Sequence, residues 1–162
     1  CEFCIRADTM KRIEGLIDVI KLCVRNAEQL TGAKADISWG EISAERYPNR
    51  PMCQAFKDNM ETLGIEMKWP DPKAQYGSSD IGNVSIKIPA IHDYLSITDD
   101  KTIQSHSKAY ADAAASPQAD EICLKGAKGL AMTALDILED SKFRDEINAY
   151  HDAQVPERYH EK

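Results

Sequence analysis

The chain has 162 residues, of which 43% are hydrophobic and 29% charged, with a formal net charge of −7. That length suits one domain, or a domain with part of another, and allows a sizeable core. The acidic balance, with Lys and Arg spread along the chain, argues against nucleic acid and anionic membranes as partners, and no apolar run is long enough to span a bilayer.

The five cysteines are odd in number and irregular in spacing, which suits a reducing, cytoplasmic setting. Cys1 and Cys4 form a C-x-x-C with no second pair to complete a tetrahedral site. The chain opens on Cys1 and not on Met, which suggests a segment of a longer protein, and no signal-peptide pattern is present.

Glu2 to Ala7 has the look of a short strand. Asp8 or Thr9 can cap a helix, and Ile13, Leu16, Ile17, Ile20, Val24 and Ala27 then recur at helical spacing. Gly32 suits the left-handed stop. Ala35, Ile37 and Trp39 alternate with polar residues, which predicts a second strand. Two strands and a helix are too few to close a sheet independently.

Tyr47-Pro48-Asn49-Arg50-Pro51 breaks the periodicity and reads as a linker or domain crossing. A helix opening at Pro51 is predicted, with Met52, Ala55, Phe56, Met60 and Leu63 on one side and Gly64 at its end. Ile65 to Trp69 suits a short strand, and Pro70-Asp71-Pro72 a turn. Gly77-Ser78-Ser79-Asp80-Ile81-Gly82 is a small-residue loop. Alternating Val84, Ile86 and Ile88 predict a strand, and another is expected near Tyr94, Leu95 and Ile97.

Ser116-Pro117 is a strong helix start, and this helix is expected to reach Asp140. Gly126, Ala127, Gly129, Ala131 and Ala134 give it a small side that lets a sheet approach closely. A last helix is expected near Lys142 to His151, with a polar, frayed tail beyond Pro156.

Of the four histidines (His92, His106, His151 and His160) none sits in H-E-x-x-H. There is no P-loop, no G-x-G-x-x-G after a strand and no Gly-x-Ser-x-Gly elbow. His151 and His160 lie in charged sequence and are expected on a solvated helix face or tail. His92 lies near a strand end, with a cleft, surface or interface role open.

Three segments say more together. Pro48-Asn49-Arg50 precedes a helix. Gly77 to Ser85 reads G-S-S-D-I-G-N-V-S. His106-Ser107-Lys108-Ala109-Tyr110 precedes a long Ala-rich helix. Their order resembles the carboxy-terminal part of the aminoacylase-like amidohydrolases, especially the branch with aminobenzoyl-glutamate hydrolase and related dipeptidases. There the glycine loop is similar to G-S-T-D-x-G-x-V-S and the later motif to H-[ST]-x-x-[FY].

The resemblance implies an α/β fold in two parts. Residues 1–44 would be the second half of a ferredoxin-like lid (strand-helix-strand) that makes a homodimer. Residues 45–162 would be the carboxy-terminal part of an α/β zinc-peptidase catalytic domain. It implies hydrolysis of an amide bond in an N-acyl amino acid, aminobenzoyl-glutamate or a dipeptide, with two divalent metals, commonly zinc, per intact active site.

It maps His106 as one metal ligand and Gly77, Ser78, Ser79, Asp80, Asn49 and Arg50 as substrate-binding residues. It maps no catalytic acid or base. The competing reading is a non-catalytic ferredoxin-like module for dimerisation or ligand binding.

Overall fold

A computed structural model describes residues 1–71 and 77–160 of the chain. Its regular elements are helices: α1 (Met10–Thr31), α2 (Arg50–Thr62), α3 (Ile81–Ser85), α4 (Lys108–Ala114), α5 (Pro117–Glu139) and α6 (Ser141–Gln154). A 3-10 turn follows at Glu157–Tyr159.

The caps explain the helix boundaries. Thr9 accepts a bond from the Arg12 amide and Gly32 closes α1 at φ 73°. Asn49 caps α2 and Pro51 sits in its first turn. Ser107 caps α4, Ser116 caps α5 and Asp140 caps α6. Each side-chain oxygen satisfies an amide that a helix start would otherwise leave without a partner.

The expected α/β fold does not form. Among the described residues the single β pairing is an isolated parallel bridge between Pro48 and Ala90. Residues 2–7, 35–39, 65–69 and 94–97 form no strand, so the ferredoxin-like strand-helix-strand lid is absent. A strand is defined by its partner, and alternation alone supplies none.

The Val84–Ile88 strand is replaced by α3 and the turn after it. There the Ser79 carbonyl accepts from the Gly82 amide at 3.1 Å and the Val84 carbonyl accepts from the Ile88 amide at 3.1 Å. These local bonds satisfy the backbone with no neighbouring strand. The expected Pro70–Pro72 turn runs into Pro72, which lies outside the described residues.

The core is built by α2, α5 and α6. Cys53, Phe56 and Met60 enter it from α2, Ala119, Gly126, Gly129 and Thr133 from α5, and Ile147 and His151 from α6. The small side of α5 does allow close approach, but to α2 and not to a sheet. A Cβ added at Gly129 would lie 2.4 Å from Met60 Sδ and 3.0 Å from Phe56 Cε2.

Helix α1 buries no residue of its own. Residues 157–160 are docked and not frayed. The Tyr159 hydroxyl donates to the Glu45 carboxylate at 3.2 Å and Arg158 pairs with Glu14 at 3.2 Å. Burial works to raise the Glu45 carboxyl. Its own amide, the Met10 amide and the hydroxyls of Tyr47 and Tyr159 outweigh that and hold it below its ordinary value.

Candidate functional site

Two segments run side by side at the Pro48–Ala90 bridge, where the Asn49 amide donates to the Ala90 carbonyl at 2.9 Å. This pairing brings residues 46–50 next to residues 90–94 and gathers Arg46, Arg50, His92, Asp93 and Tyr94 in one neighbourhood.

Arg46 is the hub. Its Nη1 donates to the Tyr94 hydroxyl at 3.1 Å and lies 3.4 Å from His92 Nδ1. A guanidinium only donates, so His92 Nδ1 accepts and the proton of the neutral ring is assigned to Nε2. The Arg46 Nη2 donates to the Gly77 carbonyl at 3.4 Å. The His92 and Tyr94 rings stack with centroids 5.0 Å apart. The glycine loop is thereby tied to a cation and two rings that were not assigned to it by sequence.

Gly77, Ser78 and Ser79 line a hollow of 1340 Å³ together with Arg46 and the apolar side of α1, including Ile13, Ile17 and Ile20. A Cβ at Gly77 would meet nothing within 4 Å, so the loop is open to an incoming group. Asp80 instead leads into α3, with its carbonyl accepting from the Asn83 amide at 2.9 Å.

Arg50 sits with its guanidinium over the Trp69 ring, 4.8 Å from the centroid. Such stacking holds the charge while leaving its edge free to bond. Asn49 is almost wholly buried. Its Nδ2 donates to the Ile147 carbonyl at 2.9 Å and its Oδ1 accepts from the Met52 amide at 3.3 Å. Both ends of the side chain are thus engaged within the fold.

Behind this cluster Cys53 and Asp93 interact. Burial pushes the Cys53 thiol up to about 12, helped by the adjacent Asp93 carboxylate. Burial also raises Asp93, against the lowering effects of the Cys53 hydrogen bond and nearby His92. Asp93 Oδ2 is buried and has no hydrogen-bond partner among the described residues.

His106 stands apart. It is exposed, precedes the Ser107 cap of α4, and has φ 62°, the one non-glycine positive φ among the described residues. Its side chain makes no hydrogen bond or ion pair with the glycine loop or the Arg46 cluster among the described residues. No group of three or more His, Cys, Asp or Glu is placed to hold a metal among the described residues. A catalytic zinc needs about three protein ligands. The described residues by themselves therefore assemble no such set. No helix among the described residues is long and apolar enough to cross a membrane.

One histidine was misplaced from sequence and another was left open. His151 was expected on a solvated face, yet it is buried and its Nε2 lies 3.0 Å from the Ser85 carbonyl. The carbonyl can only accept, so Nε2 carries the proton. Its spacing of four from buried Ile147 was the available signal. His92 had no comparable local signal, because its partner Arg46 is remote in sequence.

No family model matches the chain. The chain is similar to the Xaa-Arg dipeptidase of Mus musculus, with 38% identity over 139 residues, covering 82% of this chain and 31% of that protein. It is also similar to the Xaa-Arg dipeptidase of Homo sapiens, with 35% identity over 136 residues and the same shares of coverage. The chain thus spans about a third of the length of these curated relatives. The relatives that the chain matches are thus dipeptidases by name.

Proposed function

We propose that this chain is part of an amidohydrolase that cleaves the peptide bond of a dipeptide. The observation that carries the reading is the match to Xaa-Arg dipeptidases over four-fifths of the chain. The geometry adds a contact surface. Arg46 holds the Tyr94 hydroxyl, a donor to a substrate carboxylate, beside the open Gly77–Ser79 backbone, and the stacked Arg50 offers a second charged donor.

In this reading Gly77, Ser78, Ser79 and Arg50 touch substrate. Asp80 sets the loop's exit into α3, and Asn49 acts from below by fixing the crossing. His106 is proposed as one ligand of a divalent metal, zinc by resemblance, which when bound would polarise the scissile carbonyl and activate water. Its single candidate ligand here means that hydrolysis is expected only where further ligands are supplied. Residues 1–44 are proposed to take part in a homodimer.

Binding is the direct test. Titrating the 162-residue chain with an Ala-Arg dipeptide and following amide resonances by NMR should shift Gly77, Ser78 and Ser79, with Arg46→Ala weakening the response. A chain whose loop resonances stay fixed up to millimolar dipeptide would overturn the substrate-binding assignment.

A further inference from the structure

The helix pairs in contact are α2 with α5, α5 with α6, α2 with α6 and α4 with α5, and α1 is in none of them. Residues 1–44 therefore need another attachment to the helical core. The second half of the G-S-S-D-I-G-N-V-S motif lies against their exit.

The Asn83 Oδ1 accepts from the Ala44 amide at 2.8 Å, and its Nδ2 donates to the Ile42 carbonyl at 3.1 Å. The Ser85 hydroxyl accepts from the Tyr47 amide at 3.0 Å and donates to the Gly82 carbonyl at 2.9 Å. Between them Gly82 is buried beneath the Ala44 carbonyl. A Cβ there would lie 2.0 Å from that oxygen and 2.8 Å from its carbon. These are backbone atoms that cannot swing aside, so a side chain is excluded by contact and not by φ.

We propose that Gly82, Asn83 and Ser85 form a clamp on the backbone of residues 42–47, and so fix where the Gly77–Asp80 loop stands relative to residues 1–44. Two amides and one carbonyl of this segment, which has no partner strand among the described residues, find their hydrogen-bond partners in side chains of one short helix. The loop that opens this helix is carried with it. Gly82, Asn83 and Ser85 are positioning residues, with no contact to substrate required. Their bearing on substrate rests on the dipeptidase reading, whereas the clamp rests on the geometry alone.

Amide exchange of the full chain, read residue by residue by NMR, tests the clamp without any activity. Asn83→Ala should speed exchange at Ala44 roughly ten-fold or more, with the α2, α5 and α6 amides unchanged. Asn83→Asp should fall between, because a carboxylate still accepts from Ala44 but cannot donate to Ile42. Gly82→Ala should release both Ala44 and Tyr47. Unchanged exchange at Ala44 in Asn83→Ala would overturn the clamp. So would equal acceleration throughout the core in both Asn83 variants, since the residues would then support the whole fold and not the crossing. Dipeptide shifts at Gly77–Ser79 are read separately, so either idea can fail without the other.

Discussion

His106 combines an exposed imidazole with a left-handed backbone. For a residue with a Cβ this conformation costs roughly 1–2 kcal/mol, and glycine avoids it. Fold stability alone therefore gives no reason to keep histidine here. His106→Gly is expected to stabilise the chain by about 0.5–1 kcal/mol, seen as a higher melting temperature. A lower melting temperature would show that the imidazole contributes packing not evident in its exposure.

Asp93 is the opposite case, a carboxyl held in place at a cost. Its folded-state affinity for a proton is raised, chiefly by burial. Such a group favours the fold while protonated, and that contribution is lost as pH rises through the folded value. Asp93→Asn, which removes the charge, is expected to melt higher than the parent at neutral pH. The difference should vanish below about pH 4, where the parent carboxyl also keeps its proton. A constant difference across that range would rule out titration of Asp93 as its source.

At this scale legibility in the sequence followed the range of the interaction. The caps Thr9, Ser116 and Gly32 act on near neighbours and were readable. The Arg46–His92 and His151–Ser85 contacts span 46 and 66 residues, and one sequence gives no sign of such pairs.

Among elements, the longer helices α1, α2, α5 and α6 were legible because each satisfies its own backbone, so composition and caps suffice, whereas the short α3 and α4 were not read. Strands were misread for the converse reason. Val84, Ile86 and Ile88 alternate, but local bonds such as Gly82 to Ser79 and Ile88 to Val84 satisfy the backbone, and no partner strand competes among the described residues. The small side of α5 was recognised from its glycines, while the partner was assigned wrongly: spacing shows that a surface is close-packed, not what packs on it.

The two glycines of that side separate cleanly. A methyl at Gly126 would approach only Leu95 Cδ1, at 2.8 Å, the tip of a half-buried flexible side chain. Gly126→Ala is expected to stabilise by up to about 1 kcal/mol through helix propensity. At Gly129 the methyl would meet Met60 and Phe56 inside the core. Overpacking of about 1–3 kcal/mol should then exceed the same gain, so Gly129→Ala should destabilise. Chemical denaturation of both variants checks the order; reversal would mean that α2 and α5 can separate freely.

For the molecule as a whole, the described residues divide into a packed α2–α5–α6 core and a loosely attached opening segment. None of the 22 residues of α1 is buried, and its apolar side faces a hollow and not a packed layer. Phe3 is 76% exposed and Trp39 45%. The leucines of α5 are exposed as well, Leu138 at 72%, but that helix already buries its opposite side in the core. Apolar surface left uncovered on a segment that has found no packing partner favours association, at roughly 25 cal/mol per Å² removed from water. A homodimer made by a ferredoxin-like sheet loses its basis without strands, and the apolar argument stands in its place. The chain should therefore self-associate through residues 1–44 at micromolar concentration, with light scattering showing mass that grows with concentration. The double substitution Phe3→Ser and Trp39→Ser should return it towards a monomer while leaving the core melting transition in place. If the mass falls instead with Leu135→Glu and Leu138→Glu, the α5 surface is the contact. A parent chain that stays monomeric throughout would mean that α1 is covered from within, by segments 1–9 and 33–44 closing over the hollow in solution.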